Sequence, residues 1–210
     1  AWGGFIDRYG YPFCRGRIFD VVEKDCGQYD TVTEVMWVTG AALFIRLADY
    51  REVGGLDDHF FAHMEEIDLC WRLRSRGKKL VCIPQSVVYH VGGATLKKEN
   101  PRKTFLNFRN NLLMLYKNLP DKELEHVLFI RGILDRVAAL VFYLKKDRAN
   151  ARAVMQARRE FEDIRYSFAA SRIENMMKST DEIIPERTHF SIVMKYYLLG
   201  KKHFSQLKLF

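Results

Sequence analysis

The stretch from Gly54 to Gly93 reads GGLDDHFFAHMEEIDLCWRLRSRGKKLVCIPQSVVYHVGG. Three carboxylates stand where a helix should begin: Glu65, Glu66 and Asp68. The helical pattern continues to Gly77, a residue that readily adopts the left-handed conformation found at helix ends. Residues at i, i+3, i+4 and i+7 spacing should share one inward face of this helix. They are Glu66, Leu69, Cys70 and Leu73.

Two strand patterns follow the helix. Residues 79–83 alternate like a half-buried strand, Pro84 breaks the pattern, and the apolar run 87–91 predicts a second strand. His90 lies near the end of that run, just before a glycine pair. Upstream, residues 49–58 are predicted to form a loop around Gly54 and Gly55.

The acidic cluster has two interpretations from spacing alone. Acidic residues in the first turn of a helix stabilise it by ~0.3–1 kcal/mol each through the helix dipole. Asp68 and Arg72 also form an i, i+4 pair, which contributes a few tenths of a kcal/mol. Glu66, however, begins the inward face, so its carboxylate is either a charge held in a cleft or a helix-end anion. Spacing favours the structural interpretation.

A family resemblance changes that balance. The stretch resembles the second half of the catalytic domain of inverting family 2 glycosyltransferases, especially rhamnosyltransferase-like and galactofuranosyltransferase-like members. The matching elements are Glu65-Glu66, Asp68-Leu69, Arg72, Gly77 and a strand ending in His90. Residues 37–46, WVTGAALFIR, resemble the family's tryptophan-x-serine/threonine-glycine-alanine segment. The resemblance covers residues 7–118, with one departure: Glu66 stands where the family usually has a catalytic aspartate.

The resemblance implies roles for individual residues. Glu66 would take the proton from the acceptor hydroxyl, and Glu65 or Asp68 would hold the acceptor or orient nearby loops. Five residues fall at substrate-binding positions: Trp37, Thr39, Gly40, Ala41 and Arg72. The substrates implied are a nucleotide-diphospho sugar donor and a glycan or lipid-linked acceptor, used in cell-envelope polysaccharide synthesis.

The resemblance also implies a divalent cation, Mn²⁺ or Mg²⁺, bound in part by His90. Relatives bind it with an aspartate-x-aspartate motif, which does not occur in these 210 residues. We therefore expect the nucleotide-binding half to precede this stretch, the cation to bind only when that half is present, and this stretch alone to be inactive. His90 considered alone would more often be an ordinary strand-end histidine.

Composition restricts the partners. The net charge of +8 favours anionic partners. The basic residues are spread along the chain, so nucleic acid is not expected. Four cysteines without CxxC spacing fit a reducing cytoplasm, and no run is apolar enough to span a bilayer. We expect a cytoplasmic location, with contact at the inner face of the membrane left open.

The predicted fold class is α/β. Residues 1–118 should form the acceptor-side part of a GT-A-like mixed-sheet domain, and residues 119–210 a helical region. An apolar stripe from Val127 to Leu144 cannot span a bilayer, because Arg131, Asp135 and Arg136 interrupt it. It is too apolar to be left in water, and residues 154–168 offer a matching face, so it is predicted to be mainly buried between helices. A homodimer contact and a membrane-surface helix remain alternatives for this stripe. The alternative to an enzyme is a non-catalytic module whose helices bind a membrane or a partner.

Overall fold

The computed structural model describes residues 3–90, 100–180, 183–207 and 209. Over these residues the chain is a mixed α/β protein with two small sheets. The strands are β1 (Gly4–Ile6), β2 (Pro12–Cys14), β3 (Arg17–Ile18), β4 (Val21–Val22), β5 (Thr33–Glu34) and β6 (Val81–Cys82). The helices are α1 (Leu47–Glu52), α2 (Glu65–Ser75), α3 (Pro101–Asn118), α4 (Asp121–Leu144), α5 (Arg148–Ile164), α6 (Ala169–Lys178) and α7 (Ile192–Tyr197).

The chain divides into two compact units that are interleaved along the sequence. Unit 1 contains Ala1–Gly55, Leu69–Tyr89 and Thr180–Phe210, and unit 2 contains Leu56–Asp68 and His90–Ser179. These units are defined by contacts between residues, whereas the boundary expected after Asn118 separates segments of sequence. That boundary coincides with the end of α3 and stays a prediction about domains.

Unit 1 contains both sheets, and both are antiparallel. Strands β1 to β4 form a meander in which Phe5 pairs with Phe13, and β5 pairs with β6. The buried Asp7 carboxylate accepts hydrogen bonds from the backbone of Tyr9 and Tyr11, and also from that of Ile192 at the start of α7. The C-terminal segment therefore belongs to the same core as the first strands.

Helix α2 confirms the predicted start and stop. It runs from Glu65 to Ser75, and Gly77 follows it with a φ of 74°. Leu69, Cys70 and Leu73 on the predicted inward face are fully or almost fully buried. Residues 65–68 of this helix belong to unit 2 and the remainder to unit 1.

Two local predictions are wrong. The expected loop at 49–58 begins with helix α1, whose Asp49 pairs with Arg46 at 2.9 Å and with Lys78 at 2.9 Å. The expected strand at 87–91 does not form over residues 87–90, and residue 91 lies outside the described residues. Val87 is 67% exposed and Tyr89 96% exposed, and no described strand pairs with this run. An apolar run becomes a strand only when a neighbouring strand satisfies its backbone groups.

Unit 2 is built around three long helices. Helix α3 begins with Asn100, whose side chain accepts a hydrogen bond from Arg102 N, and with Pro101 in the first helical position. Helix α5 packs against both α3 and α4, and α6 packs against α3. Asp147 caps α5 by accepting a hydrogen bond from Asn150 N at 3.1 Å.

The faces of α4 are distributed differently from the prediction. Arg131 and Asp135 are buried, paired at 3.2 Å, and joined by Arg158 of α5, whose guanidinium lies 2.8 Å from Asp135. Arg131 also donates to Asn111 of α3. The polar residues therefore face the helices, while the second half of the expected stripe, from Val137 to Leu144, is exposed. Within the described residues, no helix is long and apolar enough to cross a membrane.

Candidate active site

The loop before α2 has an unusual backbone. Asp57 caps the short 3₁₀ turn Asp58–Phe60 by accepting a hydrogen bond from His59 N. Phe61, His63 and Met64 then have φ values of 58°, 70° and 74°. Such left-handed conformations cost side-chain-bearing residues ~1–3 kcal/mol each and persist only when the surroundings enforce them. They often mark functional sites.

Asn110 of helix α3 supplies much of that enforcement. This buried side chain donates from Nδ2 to the carbonyls of Phe60 at 2.8 Å, Ala62 at 2.9 Å and His63 at 2.8 Å. Its Oδ1 accepts from Arg109 at 2.9 Å, and Arg109 also donates to the carbonyl of His59. One amide therefore fixes the direction of the loop that leads into α2. The amino-acid sequence contains this asparagine- and arginine-rich segment, residues 107–111, but its spacing does not reveal these contacts.

We expect Asn110→Ala to lower the free energy of unfolding by ~2–4 kcal/mol, because several buried carbonyls lose their donor. Urea unfolding at neutral pH measures this. Asn107→Ala is the matched control, since Asn107 donates to only one carbonyl, that of Lys103 in its own helix. The control should change stability by less than ~1 kcal/mol. Equal losses in the two variants would contradict the role given to Asn110.

Glu66 is a partly buried carboxylate with a raised pKa. It lies in the first turn of α2, and its Oε2 is buried without a hydrogen-bond partner in the described structure. Burial, reinforced by the neighbouring Glu65 carboxylate, raises the pKa of Glu66 to about 7. Hydrogen bonds from the backbone of Glu66 and Ile67 oppose this rise. A carboxylate with such a pKa can accept and release a proton near neutral pH.

Two other side chains near Glu66 in sequence carry unsatisfied buried atoms. They are Oε2 of Glu65 and Nε2 of His63. Burial lowers the pKa of His63, helped by Lys103 and opposed by Glu65, so its imidazole is neutral at physiological pH. Unsatisfied buried polar atoms need an explanation, and the described residues hold others outside this loop, such as Asn150 Oδ1 and Thr188 Oγ1.

The raised pKa of Glu66 makes a prediction about stability. The folded state favours the protonated form of Glu66. The stabilisation that this form gives is fully present below pH 4.5 and is lost as the pH rises to about 7. Glu66→Gln should therefore gain stability relative to the native chain over that interval. The gain should reach roughly 2–3 kcal/mol. Urea unfolding across the interval tests this, and a difference between the two proteins that does not change with pH would contradict it.

Asp68 is held in a buried ionic network. Its carboxylate is 0% exposed and accepts from Lys117 Nζ at 2.9 Å and from Asn118 Nδ2 at 2.8 Å. Lys117 also lies 2.7 Å from Asp57. Burial alone would raise the pKa of Asp57, but Lys117 and His59 hold it below its ordinary value. These contacts hold Asp68 in the first turn of α2, and both roles expected for it, holding the acceptor or orienting nearby loops, stay predictions.

Arg72 has partners within unit 1. Its guanidinium is buried and donates to the carbonyls of Val53 and Gly55, the latter at 2.7 Å. This arrangement fixes the glycine-containing turn after α1, where Gly54 and Gly55 have φ values of 84° and 69°. Substrate binding by Arg72 stays a prediction.

The other expected substrate residues lie in unit 1. Trp37 donates from Nε1 to the carbonyl of Phe5 at 3.0 Å, and its ring covers Gly4, where an added Cβ would lie 2.0 Å from the indole. Thr39 caps the 3₁₀ turn Gly40–Ala42, and Thr39, Gly40 and Ala41 are exposed. Trp37 and Thr39 line a pocket of about 290 Å³. Its other lining residues include Leu43, Phe44, Val81 and Ile83.

The expected cation site is incomplete in the described residues. His90 is exposed, and no group of three or more His, Cys, Asp or Glu side chains in the described ranges could hold a metal ion. A structural cation needs several preorganised oxygen or nitrogen ligands. These residues therefore do not fit Mn²⁺ or Mg²⁺ by themselves, and cation binding by His90 stays a prediction.

Comparison with known proteins places the chain near enzymes that transfer sugars. It is 31% identical over 141 residues to pre-mycofactocin glycosyltransferase of Mycobacterium tuberculosis, covering 62% of this chain and 29% of that protein. It is 38% identical over 56 residues to N-acetylglucosaminyl-diphospho-decaprenol L-rhamnosyltransferase of the same organism, covering 27% of the chain and 18% of that protein. It is 33% identical over 69 residues to rhamnosyltransferase WbbL of Escherichia coli, covering 33% of the chain and 25% of that protein.

These matches support a general relationship to glycosyltransferases, including rhamnosyltransferases. The chain spans less than a third of the length of each of these relatives. No family model matches the chain, and no solved structure matches it.

Proposed function

We propose that this chain is the acceptor-side portion of a GT-A-type inverting glycosyltransferase, and that Glu66 is its catalytic base. The observation that carries the proposal is the Glu66 carboxylate itself. It is half-buried, has an oxygen without a hydrogen-bond partner among the described residues, and has a pKa of about 7. An ordinary helix-end glutamate is solvated and has a pKa near 4.5. The similarity to glycosyltransferases supports the same interpretation.

The proposed reaction is a single displacement. The acceptor hydroxyl gives its proton to the Glu66 carboxylate while its oxygen attacks the anomeric carbon of the donor sugar. The bond from that carbon to the nucleotide diphosphate breaks, and its electron pair leaves with the phosphate oxygen. The configuration at the anomeric carbon inverts, and protonated Glu66 then returns its proton to water. The raised pKa assists the first step because a stronger base accepts the proton more readily.

Other residues of unit 2 would keep the base in place. Asn110 fixes the loop ahead of Glu66, and the pair Lys117–Asp68 anchors the first turn of the same helix. Preorganisation of this kind lets the base meet the hydroxyl without reordering its surroundings. In unit 1, Trp37 and Thr39 are proposed to bind a sugar in their own pocket, since indole rings stack on sugar CH surfaces.

The proposed substrates are a nucleotide-diphospho sugar and a lipid-linked or glycan acceptor, at the inner face of the cell membrane. One relative is named for an N-acetylglucosaminyl-diphospho-decaprenol acceptor and for L-rhamnose transfer, which supports a lipid-linked acceptor. Mn²⁺ or Mg²⁺ would neutralise charge on the departing diphosphate, with ligands additional to His90.

Release of nucleoside diphosphate tests the proposal. The protein that carries this chain is incubated with a panel of nucleotide-diphospho sugars and polyprenyl-diphospho-glycan acceptors. We expect acceptor-dependent release with at least one donor, together with a product of inverted anomeric configuration. A retained configuration would contradict a single displacement assisted by one base. Absence of turnover across the panel, with helices intact by circular dichroism, would favour the non-catalytic module.

A further inference from the structure

Helix α4 presents an apolar face to solvent over its last sixteen residues. Its members recur at spacings of three and four residues, and each is between 43% and 70% exposed. We call this face the apolar stripe. It consists of Phe129, Ile133, Val137, Leu140, Val141 and Leu144. At 1.5 Å per residue, the stripe is roughly 24 Å long.

The stripe is distinct from the face by which α4 packs in unit 2. Helix α5 occupies the opposite side, where Arg131, Asp135 and Arg158 form their buried network. The helix therefore carries charges where it meets its neighbours and apolar groups where it meets solvent. Contiguous exposed apolar surface of this kind usually marks an interaction site.

Basic residues lie beside the middle of the stripe and beyond its C-terminal end, whereas the exposed Glu125 lies one turn before Phe129. The exposed charges between Phe129 and Arg148 are Arg136, Lys145, Lys146 and Arg148. The two aspartates in this segment are engaged elsewhere, because Asp135 is buried against arginines and Asp147 caps α5. Every exposed charge in this described segment is therefore positive.

A groove beside the stripe extends the basic surface. Its volume is about 1240 Å³, and it lies between α4 and α5. Arg152 and Arg159 of α5 line it, along with Leu140 and Tyr143 of α4. Its acidic lining residues are Glu160, Glu162 and Asp163, and two of these are paired: Glu160 with Arg109 and Glu162 with Arg165. Because α4 and α5 are antiparallel, with Arg148 over the Tyr143 ring, these acids lie away from Lys145 and Lys146.

We propose that the apolar stripe and its basic border dock on an anionic membrane surface. Helix α4 would lie in the plane of the interface, with its apolar side chains reaching past the lipid headgroups. Amphipathic helices of this composition insert about 5–10 Å in this way. Lysine and arginine extend their charged ends toward phosphates while their stems stay in apolar surroundings. Each well-placed basic residue adds attraction to anionic lipid.

A second copy of the chain fits the same face less well. If two stripes packed antiparallel and face to face, Arg136 near the middle of each stripe would lie close to its own copy. Like charges brought together in this way oppose association. An anionic surface complements all four basic residues at once. The proposal does not depend on Glu66 or on sugar transfer, so its test uses no substrate.

Vesicle flotation with the 210-residue chain tests the docking surface. The probe is vesicles of phosphatidylglycerol and phosphatidylcholine in equal parts, compared with phosphatidylcholine alone. We expect binding to the mixed vesicles that weakens in high salt but persists, because the apolar side chains insert. Leu140→Glu with Leu144→Glu should reduce the bound fraction roughly tenfold or more, since two large apolar side chains leave the bilayer.

Two further variants sharpen this result. Arg136→Gln with Arg148→Gln should remove most of the preference for anionic vesicles while leaving the apolar stripe unchanged. Met177→Glu is the matched control, because Met177 on α6 is also exposed and should not affect binding. Three results would overturn the proposal. They are no binding by the native chain, equal loss in the control, or a vesicle-free dimer that the double glutamate variant dissociates.

Discussion

Replacing Glu66 with glutamine should lower the rate of sugar transfer by roughly 10²–10⁴-fold and leave the fold intact. Glutamine matches the shape of the carboxylate but cannot accept a proton from the acceptor hydroxyl, and general-base catalysis contributes that much to many reactions. Because the carboxylate is destabilised by burial and by Glu65, the variant should unfold at an equal or higher urea concentration. Loss of transfer would then be chemical rather than structural.

Steady-state rates in the protein that carries this chain measure this effect. Glu174→Gln is the matched control, since Glu174 pairs with Lys178 on the exposed face of α6 and should leave the rate unchanged. Glu66→Asp should keep a proton acceptor but displace it, with an intermediate loss. Unchanged turnover in Glu66→Gln would remove Glu66 as the base.

Replacing Lys117 with methionine should produce the largest change in stability, a loss of ~3–5 kcal/mol at neutral pH. Lys117 is almost fully buried and serves Asp57 and Asp68 together. Methionine fills similar space but leaves two carboxylates without their cation. Because methionine leaves no cavity, the loss of stability arises from the uncompensated negative charge. Asn118 still donates a hydrogen bond to Asp68.

The loss should depend on pH. Asp57 has a lowered pKa, so its ionic contribution is present above pH 3.8 and disappears as the pH falls below that value. The difference in the free energy of unfolding between the native protein and Lys117→Met should therefore become smaller in acid, as measured by urea unfolding. Lys178→Met, which breaks only an exposed pair, should cost less than ~1 kcal/mol. A loss that small for Lys117→Met would show that the network does not anchor the loop.

Local sequence rules predicted the start and stop of α2 correctly. Glu65, Glu66 and Asp68 mark its first turn, and Gly77 follows its end with the left-handed backbone that the residue type allows. These features depend on neighbours within one helical turn. The resemblance selected Glu66 as the base. Its burial and raised pKa support that proposal, which stays untested.

Contacts between residues far apart in the sequence could not be predicted from local sequence patterns. Lys117 meets Asp57 across sixty positions and Asn110 reaches loop carbonyls nearly fifty positions away, and no local pattern encodes such pairings. For α4, the residues from Val127 to Leu144 were expected to face inward. Val127 is buried as expected, but the second half, from Val137 to Leu144, is exposed. Asp135, paired with Arg158 of α5, lies at the helix interface, because buried charges with partners can occupy such a position. The predicted strand at 87–91 failed over residues 87–90 because strand formation requires a pairing partner.

The dependence of kcat/KM on pH tests the central claim most directly. If Glu66 is the base, kcat/KM should rise with pH along a limb with an apparent pKa of about 7. That limb should be absent from the residual activity of Glu66→Gln, which has no titrating group at this position. A native profile that stays level or falls through this range, or a limb that survives unchanged in Glu66→Gln, would contradict the assignment of Glu66 as the base.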